Sequence, residues 1–477
     1  MKIADYLQKY GNEQTILKNN HSLKQITIDS RKVKRNAVYV AVKNAYANGE
    51  LFIKDAIKKG AKTIVTENLI IDVPKNINII FTKSPITVYA NMLKFKYEAF
   101  SEPNLIGVTG TSGKTTVTTL VYRILKRSGY KCLLIGTSGY YGYNQIYESF
   151  KEASNTTPML EEIYDLIYNN DFNYDYVIME ASSQGLSLGR LMGLKFCRVV
   201  FLNLNPEHLD YHHNMENYLL AKLKLFHQLT TEGYGIINAE SSYKDKFIDE
   251  CKPNCLTFGV NEGNYRIKVL DIKLDYMELE IEGKKVITEL VGDFNASNIA
   301  AVYAIIKSLN INILDFFDVI TSSALVSGRM QIIKNNKKTV VVDYAHTTKE
   351  VKKVLEHLQK YKIGKLIVVI GCGGNRDRSK RPEIGLITTE IADKVIFTED
   401  NSRTEETTTI IRDIIEGVKK DNFKVILDRE EAIYEGFKML DDGDILAVIG
   451  KGIEKNIIGK KVKSFSDVDY VKKIIME

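Results

Sequence analysis

The sequence predicts an α/β protein of three domains, built from parallel sheets with helices on both faces. Apolar, strand-like runs alternate with helical patterns along most of the chain, which is typical of such sheets. A glycine-rich turn at residues 110–116 joins a buried strand to an amphipathic helix. The alternation starts again near residue 327 and indicates a second doubly wound unit. A length of 477 residues fits three domains of ordinary size.

The first domain is predicted to span residues 1–102 and to be a small α/β unit that lacks a phosphate loop. Residues 26–31 and 37–42 have the composition of strands, and a helix is predicted to begin at residue 52. The run Ser101-Glu102-Pro103 interrupts the chain, so we place the boundary there.

The second domain, residues 103–326, is predicted to hold a central, mostly parallel sheet of the phosphate-loop type. Its predicted strands are 104–109, 131–136, 174–179, 199–204 and 235–238, with helical patterns between several of them.

The third domain, residues 327–477, is predicted to be Rossmann-like. Its strands are placed at 339–343, 365–371, 394–399, 423–427 and 445–450, and its helices at 348–361, 382–391, 405–418 and 429–438. In open sheets of this type ligands bind beyond the carboxyl ends of the strands, so we expect a site between the second and third domains.

The composition excludes several classes of protein. The 66 basic and 60 acidic residues are interspersed, so a net charge of +6 gives no reason to expect nucleic-acid binding. No apolar run reaches 18 residues, and the N-terminus lacks a signal-peptide core, so we expect no membrane span. Five scattered cysteines favour a reducing compartment. The expectation is a cytoplasmic protein.

The turn at residues 110–116, Gly-Thr-Ser-Gly-Lys-Thr-Thr, predicts binding of a nucleoside triphosphate. Backbone N–H groups at such a turn, together with the positive end of the following helix, favour phosphate. Lys114 would reach the terminal phosphates, and the Thr115 hydroxyl would contact a magnesium ion. The spacing departs from the strict motif because Val108 stands where its first glycine belongs.

Four further polar residues are candidates for a site around this turn. Glu180 ends a strand, where a carboxylate could share the magnesium ion with Thr115, although taken alone the pattern favours an ordinary surface glutamate at a strand end. His208 and His212 follow the next apolar strand and could be solvated loop residues. Lys222 falls on an amphipathic helix and by pattern is an ordinary helix-face lysine.

Seven motifs together resemble those of the Mur ligases, in the same order and over essentially the whole chain. They are Gly110–Thr116, Glu180-Ala181-Ser182-Ser183, His208-Leu209-Asp210-Tyr211-His212, Ala221-Lys222, Asn295-Ala296-Ser297-Asn298, Gly328-Arg329 and Asp343-Tyr344-Ala345-His346. The resemblance implies an ATP- and Mg²⁺-dependent amide ligase of peptidoglycan precursor synthesis, working through an acyl phosphate. The sequence is similar to those members that add the third amino acid to UDP-MurNAc-L-Ala-D-Glu. We also expect the protein to be a monomer.

The resemblance also implies roles for individual residues. Catalytic roles fall on Lys114, Lys222, Glu180 and His208. Magnesium would be held by Thr115, Glu180, His208 and Lys222, the last as a carbamylated N6-carboxylysine. ATP would contact Gly110, Thr111, Ser112, Gly113, Lys114, Thr115, Thr116, Asn295, Asn298, Arg329, Asp343 and His346. The UDP-muramyl substrate would contact Ser30, Asn155, Thr156, Thr157, Ser182 and Arg190.

The incoming amino acid would contact a last group of residues by the same resemblance: Arg376, Asp400, Asn401, Ser402, Arg403, Gly450 and Glu454. A guanidinium fork suits a carboxylate and not an ammonium, so Arg403 favours meso-diaminopimelate or a similar diamino acid over lysine. Departures from the family pattern are Glu50, Gln184, Gln331, Thr348, Lys349, Ser402 and Ile453. None of them removes a phosphate, magnesium or carbamate residue.

Two alternatives stay open at this point. A divergent amide ligase could act on another carboxylate and amine, and a nucleotide-binding partner could lack catalysis. Retention of Ser30, the Asn155–Thr157 run and Arg190 favours the muramyl substrate, while Glu180 and Lys222 argue against a non-catalytic protein.

Overall fold

A computed structural model describes residues 1–11, 14–44, 47–68, 73–142, 155–169, 173–322, 326–335 and 338–476. Within these ranges three α/β units follow one another, each with its own sheet. The three-domain α/β class predicted from the sequence is therefore confirmed, whereas the boundaries at 102/103 and 326/327 stay predictions. No helix in the described ranges is long and apolar enough to cross a membrane.

The N-terminal sheet is mostly parallel. Its strands, in spatial order, are Gln14–Ile16, Asn78–Phe81, Thr63–Thr66, Val38–Val40 and Ile26–Thr27, and the first pair is antiparallel. The surrounding helices are Ile3–Tyr10, Ile53–Lys58 and Pro85–Tyr97, with short 3₁₀ turns at Ser30–Lys32 and Gly49–Phe52. The strand expected at 26–31 is wrong beyond Thr27, because the Asp29 side chain accepts from the Arg31 N–H and starts the 3₁₀ turn there.

The middle sheet carries the glycine-rich turn at its centre. Its order is Tyr265–Arg266, Cys255–Gly259, Leu229–Asn238, Phe196–Phe201, Asn104–Thr109, Tyr176–Glu180, Cys132–Gly136 and Gly139–Tyr141, parallel except for the last pair. An antiparallel sheet that the sequence did not predict follows it: Lys268–Ile272, Met277–Ile281 and Lys284–Thr288.

Helices cover both faces of the middle sheet. Lys114–Arg127, Asp293–Ser308 and Ile313–Ser322 share one apolar core with the small antiparallel sheet. The other face packs Leu160–Tyr168, Met215–Leu223 and Lys244–Cys251, and its core continues into the N-terminal helix Pro85–Tyr97. Shorter elements are Ser183–Ser187, Leu209–His212 and the 3₁₀ turn Phe226–Gln228.

The C-terminal sheet is doubly wound, as the sequence predicts. Its order is Gln331–Lys334, Thr339–Asp343, Ile445–Ile449, Leu366–Ile370, Lys394–Phe397 and Phe423–Val425, parallel except for the first pair. Helices Thr348–Tyr361, Lys380–Ile391 and Thr407–Ile415 pack on one face, and Arg429–Lys438 and Asp467–Ile474 on the other. A hairpin of Asn456–Ile458 and Val462–Ser464 stands beside the carboxyl edge.

Candidate active site between the middle and C-terminal sheets

A cleft of about 1340 Å³ opens between the middle and C-terminal domains. One wall consists of the glycine-rich turn and the residues that follow the middle-sheet strands. The other wall consists of loops at the carboxyl edge of the C-terminal sheet. This is the place where doubly wound sheets bind their ligands.

The glycine-rich turn has the backbone of a phosphate loop. Gly113 has a φ of 86°, a left-handed conformation that favours glycine, and the helix starts at Lys114. A Cβ on Gly113 would lie 2.3 Å from Oδ1 of Asn298, so a side chain does not fit there. Asn298 and Asn295 are buried beneath the turn, where the Asn298 amide donates a hydrogen bond to Oδ1 of Asn295.

The Lys114 ammonium folds back over this turn. It donates to the carbonyls of Gly110 and Thr111, at 2.8 Å in each case, which leaves one of its three donors for a ligand. Lys114 lines the cleft, so that donor can face a phosphate there.

The Lys222 side chain contacts the Gly110 carbonyl from the buried side of the turn. It is 1% exposed, its Nζ lies 3.0 Å from the Gly110 oxygen, and it stands 4.5 Å from the centre of the Tyr218 ring. Burial first, and then the nearby Lys114 charge, hold the pKa of Lys222 well below its usual 10.5. An uncharged amine is a nucleophile, so this lysine is suited to carbamylation by CO₂.

Glu180 is a buried carboxylate at the mouth of the cleft. It is 1% exposed and accepts from the Thr137 N–H at 2.9 Å and the Thr137 hydroxyl at 3.0 Å. It forms no ion pair in the described part of the chain. Gly136 makes room for it, since a Cβ there would lie 2.4 Å from Oε1. A buried carboxylate without a basic partner fits a bound cation.

The Thr115 hydroxyl lines the cleft as well. Nη2 of Arg329 donates to its Oγ1 at 3.1 Å, and the guanidinium stacks on Tyr344 at 4.3 Å. A hydroxyl has two lone pairs, so one stays available to a metal ion. No group of three His, Cys, Asp or Glu side chains suited to a metal occurs among the described residues. Magnesium commonly takes one or two carboxylates together with substrate phosphates, so Glu180 and Thr115 fit it.

Glu207 connects the two walls of the cleft, and sequence reasoning missed it. Its Oε1 lies 3.0 Å from Nε2 of His346, and 3.7 Å from Nε2 of His208. Burial opposes its charge, but His346, His208 and Lys114 outweigh burial and hold the pKa of Glu207 below its usual range. The one signal for Glu207 in the sequence was that it directly precedes the candidate ligand His208.

Glu207 raises the pKa of both histidines, yet their net pKa shifts have opposite directions because burial outweighs it only for His208. Burial lowers the pKa of His208 to about 4, so its ring is neutral and able to bind a metal ion. For His346 burial also favours the neutral ring, but Glu350 and Glu207 outweigh it and raise the pKa of His346 above 6.5.

The predicted muramyl contacts form a second cluster along the cleft. Thr157 Oγ1 donates to the Glu180 carbonyl at 2.8 Å, and Nη1 of Arg190 donates to the Thr157 carbonyl at 2.8 Å. Asn155, Thr156, Ser182 and Arg190 line the cleft, whereas Ser30 lies apart in the 3₁₀ turn of the N-terminal domain. Ser154, which directly precedes Asn155 in the sequence, lies outside the described residues.

The predicted amino-acid contacts form a pocket that contains charges of both signs. Arg376 and Arg403 line the cleft together with Asp400 and Glu454, and both carboxylates act on the Arg403 guanidinium. Burial would raise the pKa of Asp400, but Lys451 and Arg429 outweigh it and hold that pKa below its usual range. Such a pocket complements an amino acid that carries both an ammonium and a carboxylate.

Several predicted residues do not face the cleft. Asp343 is buried and accepts from the backbone N–H groups of Met330 and Ala345, so its carboxylate orders the start of the C-terminal domain. The others that do not line it are Gly110, Ser112, Gly113, Thr116, Thr157, Lys222, Asn295, Asn298, Ser402 and Ser30. Sequence reasoning missed Thr137 and Tyr344, which hold Glu180 and Arg329, respectively.

Comparison with known protein families matches three stretches of the chain. The Mur ligase family catalytic domain matches residues 22–102, the Mur ligase middle domain matches residues 108–306, and the Mur ligase glutamate ligase domain matches residues 328–452.

Individual proteins match over the full length. The UDP-N-acetylmuramoyl-L-alanyl-D-glutamate--2,6-diaminopimelate ligase of Clostridium tetani is 35% identical over 505 residues, with 100% of both chains covered. A solved structure with the same enzyme name is 27% identical, has a TM-score of 0.69 and covers 99% of this chain and 98% of its own. A Mur ligase of Thermotoga maritima in complex with ADP shares the fold at 19% identity, with a TM-score of 0.60 and 94% and 96% coverage.

Proposed function

Because this chain belongs to the Mur ligase family, we propose that it joins a diamino acid to UDP-MurNAc-L-Ala-D-Glu in peptidoglycan precursor synthesis. It is an ATP-dependent, ADP-forming ligase. The observation that carries the proposal is a cleft that has a phosphate loop on one wall and a pocket for a zwitterion on the other. A carboxylate activated at the first wall meets an amine bound at the second.

The reaction follows from the chemistry of amide formation. A carboxylate does not react with an amine at neutral pH, so its oxygen first attacks the γ-phosphorus of ATP and ADP leaves. The amine then attacks the acyl carbon, phosphate leaves, and the amine loses a proton. The protein positions these groups and offsets their negative charge, for which the free donor of Lys114 is well placed.

Magnesium is the metal that this donor set supports. Glu180 and the Thr115 hydroxyl supply hard oxygen ligands, and the neutral ring of His208 supplies nitrogen. Bound there, the metal would neutralise charge on the phosphates and on the attacking carboxylate.

Carbamylation of Lys222 changes the close approach of two lysine nitrogens at the phosphate loop into a contact between a lysine and a negative group. Two lysine nitrogens, of Lys114 and Lys222, lie within 3.0 Å of one carbonyl oxygen. Reaction of the neutral Lys222 amine with CO₂ gives a carbamate and releases one proton. The site then holds a negative oxygen ligand beside Lys114 instead of a second nitrogen base.

The amine is meso-diaminopimelate or an analogue with a distal carboxylate. Arg403 presents its guanidinium to the cleft and donates Nη1 to the carbonyls of Gly374 and Asn401, which fixes its orientation. Such a fork binds a carboxylate and repels the distal ammonium of lysine. Ser30 would reach the uridine end of the other substrate, and the Asn155–Thr157 loop, Ser182 and Arg190 its muramyl peptide. The protein acts as a cytoplasmic monomer.

A phosphate-release assay tests this function. The intact protein is supplied with ATP, Mg²⁺ and UDP-MurNAc-L-Ala-D-Glu, and the amine is varied among meso-diaminopimelate, lysine and ornithine. We expect release that depends on the nucleotide substrate and is greatest with meso-diaminopimelate. Absence of release with every amine would refute the assignment, and release only with an unrelated carboxylate would select a divergent amide ligase.

A further inference from the structure

Lys451 is a fully buried lysine beside the zwitterion pocket. Its side chain is 0% exposed, and its ammonium donates to Asn401 Oδ1 at 3.0 Å, Glu454 Oε2 at 2.8 Å and the Asn456 carbonyl at 2.8 Å. An ammonium has three donors, so all of them are used within the protein. Lys451 therefore has none left for a substrate.

The Glu454 carboxylate is held from three sides. Its Oε2 accepts from Lys451 and from Nδ2 of Asn401 at 2.6 Å, and its Oε1 accepts from the Tyr344 hydroxyl at 3.2 Å. The side chain is still 30% exposed and lines the cleft. Its orientation is thus fixed while one surface stays open to a ligand.

Asn401 forms hydrogen bonds with both Lys451 and Glu454, so the three side chains make one hydrogen-bond network. Its Oδ1 accepts from Lys451 and from the Ile458 N–H at 2.8 Å, while its Nδ2 donates to Glu454. The network joins the loop after Lys394–Phe397 to the loop after Ile445–Ile449, and both loops contribute residues to the pocket.

We propose that Lys451 is a positioning residue that fixes the Glu454 carboxylate to receive the ammonium of the incoming amino acid. This rests on the proposed function. Charge-assisted hydrogen bonds in a low-dielectric site hold a carboxylate in one rotamer, which spares the ligand the cost of ordering it. The role is indirect, because every donor of Lys451 is engaged by the protein.

A purely electrostatic role for Lys451 and the proposed positioning role predict opposite changes in amine binding when Lys451 is replaced. Removing the Lys451 charge leaves the pocket more negative, and a more negative pocket attracts an ammonium more strongly. Loss of positioning instead weakens binding of the amine, so the two effects have opposite signs.

The experiment measures KM for meso-diaminopimelate and for ATP in the full-length Lys451→Met protein, by phosphate release with saturating UDP-MurNAc-L-Ala-D-Glu. We expect the KM for the amine to rise about tenfold, as loss of one charge-assisted hydrogen bond implies, with the KM for ATP unchanged. Lys362→Met is the matched control, because Lys362 pairs with Asp393 at the opposite edge of the same sheet. It should leave both constants unchanged.

A double variant separates positioning from general damage. If Lys451 acts through Glu454, then Lys451→Met adds nothing to the effect of Glu454→Gln on the amine KM. The inference is overturned by an amine KM that is unchanged or lower, by equal rises in both KM values, or by additive effects in the double variant. If the unmutated protein releases no phosphate with meso-diaminopimelate, lysine or ornithine, the proposed function itself has failed, and this inference fails with it.

Discussion

His346 of the C-terminal domain and Glu207 of the middle domain meet across the cleft, with Nε2 and Oε1 3.0 Å apart. Nearby, Lys349 Nζ donates to Asn205 Oδ1 at 2.6 Å, and Arg329 donates to Thr115. These contacts attach the start of the C-terminal domain to the loops that surround the phosphate site. Lys349 is one of the residues at which the sequence departs from the family pattern.

We expect Glu207→Gln to weaken nucleotide binding about fivefold. The change removes a charge-assisted bond worth about 1 kcal/mol at this partly exposed contact, and so loosens the domain that completes the nucleotide site. Calorimetric titration with ADP measures it. Glu250→Gln removes a similar bond to His227 on the surface and should have no effect. Equal ADP affinity in Glu207→Gln and the parent protein would contradict the role of this contact.

Replacing Lys114 by alanine should lower kcat by a factor on the order of 10² to 10³, since a donor aimed at developing charge is lost. The Gly110 carbonyl still accepts from Lys222 when Lys114 is lost, and Thr111 lines the cleft, so the fold should persist, as circular dichroism would report. Lys131→Ala, at an exposed lysine just beyond the same helix, serves as the control. Normal ATP-dependent ligation by Lys114→Ala would remove this residue from the mechanism.

The carbamate at Lys222 predicts chemical rescue. Lys222→Ala should lose most of its activity, and short carboxylic acids should restore part of it by occupying the space of the missing carbamate. Lys224→Ala, an exposed neighbour beyond the same helix, should need no rescue. The measurement is phosphate release against acetate or propionate concentration. Failure of every acid to restore activity, with the protein folded, would argue that Lys222 acts as an unmodified amine.

Arg403 is expected to decide which amine is accepted. Arg403→Met should raise the KM for meso-diaminopimelate about 10- to 100-fold, because a charge-assisted contact with the distal carboxylate is lost. It should not harm whatever activity remains with lysine, which lacks that carboxylate. Arg412→Met, on the outer helix Thr407–Ile415, is the control. Equal losses with both amines would show that Arg403 supports the loop without reading the substrate.

The buried pair of Arg429 and Asp467 should dominate the stability of the C-terminal domain. Both side chains are 0% exposed, Nη2 and Oδ2 lie 2.7 Å apart, and Arg429 also donates to the carbonyls of Glu399 and Ile449. Arg429→Met leaves Asp467 buried and unpaired, at a cost of about 3–5 kcal/mol. Lys463→Met breaks an exposed pair with Asp428 and should cost less than about 1 kcal/mol. Thermal unfolding by calorimetry distinguishes them, and similar losses would contradict the burial argument.

The periodicity of apolar residues predicted many of the regular elements in the middle and C-terminal domains. The strands at 104–109 and 339–343 and the helices at 348–361 and 429–438 have the bounds that the sequence predicts. The sequence missed the antiparallel sheet of Lys268–Thr288, whose short strands alternate polar and apolar residues and lie between helices. A short amphipathic strand gives little signal until its partner strand is known.

Taken alone, the sequence determined the three-domain α/β architecture, the phosphate loop and the motifs of the family, because these depend on local spacing and on residue identity. Only the tertiary structure brought Glu207 against His346, Lys222 against the Gly110 carbonyl, and Lys451 behind Glu454. Each of these contacts joins residues from separate strand ends or domains, or depends on burial. Their charge states and orientations follow from desolvation and from neighbours in space, which linear order does not encode.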